Sequence, residues 1–230
     1  MKIMTYKKIF ILFFICFYIN SNEVSFYSAK YNFQSDDFSV TGVREFLSNE
    51  NGHELKFNAS NLIATLSFSS KFDLKNEEVI SKNYDINIKP KFLDRDQTVT
   101  FNNESKTVSS VGRNTWTSNI ENSINLLDPL NAQIMIRSNI SKGIDSFELN
   151  IINMRKGGYE QYQFNLIATK KCEFDGEEYQ CHIVERTNQD SKRVINYFII
   201  KELGYIFLKI TDEEEGVINK LELKELLSLG

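Results

Sequence analysis

The 230-residue chain holds two prolines, two histidines, one tryptophan and three cysteines, and each scarcity excludes something. The two prolines and ten glycines form no Pro-, Gly- or Ser-rich tract, and no internal repeat is present, so nothing marks a flexible boundary. His53 and His182 lie far apart and make a poor metal site, and no H-x-x-x-H, C-x-x-C or calcium-loop spacing accompanies them. No run of Lys and Arg exceeds two residues, which disfavours a nucleic-acid partner because the phosphate backbone rewards clustered positive charge. A G-x-S-x-G elbow and a glycine-rich phosphate loop are both missing, and nothing in the sequence names a cofactor or a catalytic residue.

Long apolar runs are also missing. The longest, Ile9 to Ile19, has 11 residues, against the ~20 that a membrane-crossing helix needs. Lys2, Lys7 and Lys8 precede that run, and Asn20, Ser21, Asn22 and Glu23 follow it. This is the layout of a secretory signal peptide. The reading is a signal over residues 1–21 and one β-rich domain over residues 22–230, exported to the periplasm or the cell exterior, with no stable membrane span after cleavage. No A-x-A pattern marks the cut, Ser21 being the best-placed small residue, so an uncleaved anchor is the alternative. Lipidation at Cys16 is disfavoured because Phe13, Phe14 and Ile15 precede it. Removal of residues 1–21 takes three lysines and no acids, which leaves 24 basic against 31 acidic residues and a formal charge of −7. That charge reads as a solvated acidic surface.

Period-two alternation of apolar residues dominates what remains, and it predicts strands. Ala29, Tyr31 and Phe33 share a face, with Phe38 and Val40 following an acidic turn at Asp36 and Asp37. Asn51-Gly52 predicts a hairpin between a strand ending near Phe46 and Leu47 and one carrying Leu55, Phe57 and Ala59. Alternation returns at Leu62 to Phe68, Tyr84 to Ile88, Val99 and Phe101, Phe147 to Ile151, and Tyr162 to Ala168. Val194 to Ile200 reads as a strand buried on both faces, and the chain ends in a hairpin across Asp212 to Gly216. The exception is Asp128-Pro129, an N-cap residue followed by a residue favoured at the first helical position, which predicts a short helix near residues 128–140 burying Leu130, Ile134 and Ile140. The fold class is therefore mainly β: a strongly curved antiparallel sheet or a partly open β-barrel or roll, with one short helix.

Cys172 and Cys181 sit in CEFDGEEYQC, and export favours their pairing as a disulfide. Two hairpin registers compete. A turn at Gly176-Glu177 sets the cysteines directly opposite each other. A turn at Asp175-Gly176 sets Cys172 opposite Tyr179 and Cys181 opposite Lys170, a register expected to forbid the bond. The first is preferred, and the bond is then structural. A catalytic thiol is disfavoured because His182, next to Cys181 on a strand, points to the opposite face.

The opening Tyr31 strand with Gly42, the Tyr84 segment leading to Val99, Thr100 and Phe101, Asp128-Pro129-Leu130 with Arg137, the Gly176 hairpin followed by Arg186, and the closing Gly216 to Leu223 strand resemble a bacterial family of exported proteins. That family is catalogued as a domain of unknown function, number three-one-zero-eight. The likeness runs from about Tyr27 to Leu227. It implies an envelope or periplasmic location, an antiparallel β fold and no established activity, and this chain departs from it in its paired cysteines and few glycines.

Two functions follow as expectations. The first is a non-enzymatic envelope protein whose curved sheet binds an apolar ligand or an envelope protein, motivated by 13% aromatic content and tested by the presence of an apolar cavity. The second is an envelope hydrolase using a carboxylate pair, which needs two converging acids with at least one raised pKa. Trp116 reads as cover for the edge of the core.

Overall fold

The computed structural model describes residues 24–36, 39–62, 64–89, 95–121, 124–188 and 191–230. The signal peptide read into residues 1–21, and Asp37 and Phe38 of the first turn, lie outside the described residues.

The first meander comprises β1 (Tyr27–Gln34), β2 (Ser39–Asn49), β3 (Gly52–Ser60), β4 (Thr65–Lys75), β5 (Glu78–Lys89), β6 (Gln97–Asn102), β7 (Thr107–Gly112) and β8 (Trp116–Asn119). A two-residue strand β9 (Leu126–Leu127) then leads into helix α1 (Ala132–Ser141). The second meander follows: β10 (Ser146–Ile152), β11 (Tyr159–Phe174), β12 (Glu177–Asn188), β13 (Ser191–Ile200), β14 (Ile206–Glu214) and β15 (Val217–Leu229). All fifteen join one sheet in the order β8-β7-β6-β5-β4-β3-β2-β1-β15-β14-β13-β12-β11-β10-β9. The two meanders are thus sealed by pairing the first strand with the last, Tyr31 opposite Leu223 and Phe33 opposite Leu221. The sheet does not close into a barrel, because β8 and β9 stand at its two ends.

Alternation along each strand becomes rows across the sheet once register is fixed. One row runs Tyr27, Phe46, Leu55, Ser70, Tyr84, Val99. Every member of it is buried. The next row on the same face runs Ala29, Arg44, Phe57, Phe68, Ile86, Gln97. This is the concave face, and α1 lies within its curve: Met135 Sδ accepts from Val79 N of β5, and the Arg137 guanidinium stacks over Tyr27 of β1 and Phe46 of β2. Eight of the helix's ten residues are buried. A helix covered nearly all round shows no clean apolar stripe, which is why Ile134 and Ile136 also fit a strand pattern.

The helix begins later than its predicted start. Asp128 does cap, but it caps a turn: its Oδ1 accepts from the Leu130 and Asn131 amides, and the α-helix starts at Ala132 with Asn131 as its N-cap residue. Leu130, Ile134 and Ile140 are buried as predicted. The helix also permits one parallel pairing, β9 beside β10, because it supplies the crossover that parallel strands need. At Asn51-Gly52 the hairpin forms with Asn49 opposite Gly52, so Glu50 and Asn51 are the loop and Gly52 alone takes the positive φ, 116°. A Cβ there would meet Phe72 O at 2.8 Å, so the position needs glycine on two counts. Leu62 and Ala64, read into the next strand, precede it, and Leu62 is exposed.

Side chains close the gap that the ladder leaves. Trp116 of the edge strand β8 donates from Nε1 to Met154 O at 3.2 Å in the β10–β11 loop. Gln97 Nε2 reaches the same carbonyl at 2.7 Å, and Gly158 N donates to Ser118 Oγ. The lone tryptophan thus covers the core edge, as its sequence position suggests, and also ties the first meander to the second.

Candidate functional site

The concave face carries an unusual charge distribution. Arg44, 2% exposed, and Arg137, 0% exposed, are among the largest fully buried side chains, and neither has a carboxylate within ion-pair distance among the described residues. A guanidinium stays charged at any ordinary pH, so each must be satisfied by dipoles or rings. Arg137 donates from Nε to Tyr205 O at 2.9 Å and from Nη2 to Ser25 O at 2.8 Å and Gly204 O at 2.9 Å. Through Arg137, three carbonyls therefore tie α1 to the segment before β1 and to the β13–β14 turn, a structural role. Burial still pulls its pKa down to about 10.

Arg44 is held differently. Its Nη2 donates to Gln133 Oε1 at 2.6 Å, and the guanidinium lies over the Tyr31 and Phe207 rings, 5.8 and 5.6 Å from their centroids. Its Nε is buried without a hydrogen-bond partner. Tyr31 is fixed by its own bond to Phe207 O, and burial drives its phenol pKa far upward, so it remains neutral.

Beside Arg44 opens a cavity of about 640 Å³. Its wall is apolar: Phe33 from β1, Phe57 from β3, Leu66 and Phe68 from β4, Ile88 from β5 and Leu221 from β15. Pro129, Leu130 and Gln133 at the start of α1 form one side, and Asp36 and Arg95, both exposed, stand at its mouth. The cavity exists because α1 fills only part of the curve, leaving the end near β15 and the β1–β5 wall unplugged. A pocket of this size and lining is the usual form of a small-molecule site. Arg44 was legible as a misfit: on a strand with Val40 and Phe46 inward, position 44 shares their face, and a charge there breaks the pattern.

Among the described residues, the one carboxyl with a raised pKa has no second acid beside it. Asp128 is fully buried, and burial raises its pKa to about 7 against the opposing hydrogen bonds of Ser70, Asn131 and Leu130. Its neighbours are Ser70 Oγ on Oδ2 at 2.6 Å and two backbone amides on Oδ1, an anchor between β4 and the helix turn. Asn131 extends the anchor by donating to Ser81 Oγ. Glu148 and Glu160 line a second, polar cleft of about 550 Å³ on β10 and β11. The Tyr162 hydroxyl bonded to Glu160 holds that carboxyl below its ordinary value, the reverse of what a general acid requires.

Cys172 and Cys181 form a disulfide with their Cα atoms 5.8 Å apart. The ladder nonetheless follows the Asp175-Gly176 turn, with φ of 52° and 77°, and sets Cys172 opposite Tyr179 and Cys181 opposite Lys170. The expectation that this register forbids the bond is corrected: the cysteines are diagonal neighbours on one face, and ribbon twist brings one diagonal close. His182 lies on the other face, bonded to Thr169 Oγ1 through Nδ1 and stacked on Tyr205. His53 stacks between Phe26 and Phe72, and no group of metal-holding side chains occurs among the described residues.

The fold thus belongs to the β-barrel-like class, with a buried arginine beside an apolar cavity. No protein-family model and no curated protein matches the chain. Among solved structures it is similar to a β-barrel-like protein of a domain of unknown function, DUF1849, from Brucella abortus, with a TM-score of 0.61 over 89% of this chain and 98% of that one. Sequence identity is 10%, so the likeness is one of fold. The neighbour's domain of unknown function is a different one from the family the sequence resembles.

Proposed function

We propose that the chain is an exported, non-enzymatic binding protein of the cell envelope, built as one β-rich domain over residues 22–230, whose open barrel holds an apolar ligand. The observation that carries this reading is the apolar cavity of about 640 Å³ beside α1, within the ~300–1,000 Å³ range of small-molecule sites. Export is supported by the basic and apolar layout of residues 1–21 and by the Cys172–Cys181 disulfide, a bond that persists in oxidising compartments. The finer family assignment, to domain of unknown function number three-one-zero-eight, rests on the Tyr31, Asp128-Pro129-Leu130, Arg137 and Gly216 segments.

The test is expression from the full gene, recovery of the exported fraction and native mass spectrometry of the intact protein. The expected result is a chain lacking the amino-terminal segment, oxidised at its two remaining cysteines, and carrying a small apolar molecule. A chain retained in the cytoplasm with both thiols free counts against export. The carboxylate-pair hydrolase gains no support, since the one carboxyl raised among the described residues faces a hydroxyl and amides rather than a second acid.

A further inference from the structure

We infer that the cavity takes a single-chain amphiphile with a monoanionic carboxylate head, the head seated on Arg44 and the chain on the aromatic and aliphatic wall; this rests on the ligand-binding reading above. A buried guanidinium without a counter-ion is costly unless a charge completes it. Arg137 has three carbonyls to accept its protons. Each guanidinium lies between two rings and leaves one buried N–H unpartnered, Nε in Arg44 and Nη1 in Arg137, but Arg44 has a single amide oxygen as acceptor, and it alone of the two lines the cavity. Its planar fork suits a carboxylate.

Charge count selects among anions. Among the described residues, the charged groups lining the cavity are Arg44, Arg95 and Asp36, which sum to one positive charge. The two exposed groups at the mouth offset each other, so the buried excess sits on Arg44. One carboxylate cancels it. A phosphate monoester, carrying about −1.5 to −2 at neutral pH, leaves an uncompensated negative charge in a buried site. An uncharged head leaves the guanidinium as it is, and a cationic head adds a like charge beside it. The wall beyond Arg44 presents Phe57, Phe68, Leu66 and Ile88, with no other buried charge among the described residues, a surface for a hydrocarbon chain.

The experiment is displacement of an uncharged naphthylamine dye from the oxidised mature protein by dodecanoate, dodecanol, dodecyl phosphate and dodecyltrimethylammonium, each below its micellar concentration. Dodecanoate is expected to compete about tenfold more strongly than dodecanol, as a charge-assisted hydrogen bond in a buried site gives, with dodecyl phosphate weaker than dodecanoate and the cation weakest. In R44Q the preference for dodecanoate over dodecanol is expected to collapse to within about twofold. Equal competition by dodecanoate and dodecanol in the unmodified protein overturns the head-group assignment and leaves the apolar cavity standing. Stronger competition by dodecyl phosphate replaces the carboxylate with a phosphate and overturns the inference in that way. Failure of the dye and of all four amphiphiles to bind overturns the ligand-binding reading itself. The head-group series on the unmodified protein decides the matter even if R44Q does not fold.

Discussion

Cys172 and Cys181 are joined along a diagonal of the β11–β12 ribbon, each directly opposed by another residue, Tyr179 and Lys170. A turn that satisfies its own backbone preference, with Asp175 and Gly176 both at positive φ, therefore coexists with the bond. Their Cα separation of 5.8 Å falls in the span a disulfide bridges. Because the ring is short, the double variant Cys172→Ser/Cys181→Ser is expected to lose about 2.5–3 kcal/mol in urea unfolding. The same loss should follow reduction of the unmodified protein, and a change much below 1 kcal/mol in both would show that the hairpin is stapled without consequence.

Arg137 is expected to be a stability residue. Arg137→Met removes the donor from Tyr205 O, Gly204 O and Ser25 O at once and leaves three carbonyls inside the curve. The expected loss is about 3–5 kcal/mol in equilibrium unfolding. Arg137→Lys should recover little of it, since one ammonium cannot reproduce the fork.

Asp128 sets a pH dependence of defined sign. Burial raises its pKa from 3.8 to about 7, so the folded chain binds this proton more tightly than the unfolded chain does. The contribution of Asp128 to stability is full below about pH 4, declines as pH rises through the window to about pH 7 at a slope of up to about 1.4 kcal/mol per pH unit, and is level above it. The difference in unfolding free energy between the unmodified protein and Asp128→Asn, followed across that window, should show this slope. A difference independent of pH would place the ionised form in the native anchor to Ser70.

Trp116 fastens the open end of the sheet. Trp116→Phe keeps an aromatic ring and loses the bond to Met154 O, an expected cost of about 1 kcal/mol. Trp116→Ala should in addition speed amide exchange in β6 to β8 while leaving β12 to β14 protected, because among the described residues β8 is bridged to the β10–β11 loop through its side chains. Uniform protection in both meanders would mean that the end is held by other contacts.

Much of this architecture was legible because period-two alternation reports a local fact, which face of a strand is covered. Ala29, Tyr31, Leu55 and Val99 announced their burial in that way. Turn register was less legible, since Asp175-Gly176 and a direct Cys172 to Cys181 pairing make competing local demands, and ribbon twist, which reconciles them, leaves no mark in the sequence. The pairing of Tyr31 with Leu223 joins the two ends of the chain and is a property of the whole sheet. The cavity was legible only as an expectation of some apolar pocket. Its position depends on where α1 stops filling the curve, and its charge on Arg44, whose inward phase the alternation of β2 already contained.

Whether the cavity beside Arg44 is a ligand site is decided by dye titration with a cavity-filling variant. The unmodified protein should bind the naphthylamine dye saturably at one site, and Leu66→Trp, which places an indole into the apolar wall, should abolish that binding while the unfolding midpoint stays close to its original value. Saturable binding that Leu66→Trp leaves intact, or no saturable binding in the unmodified protein, would contradict the account.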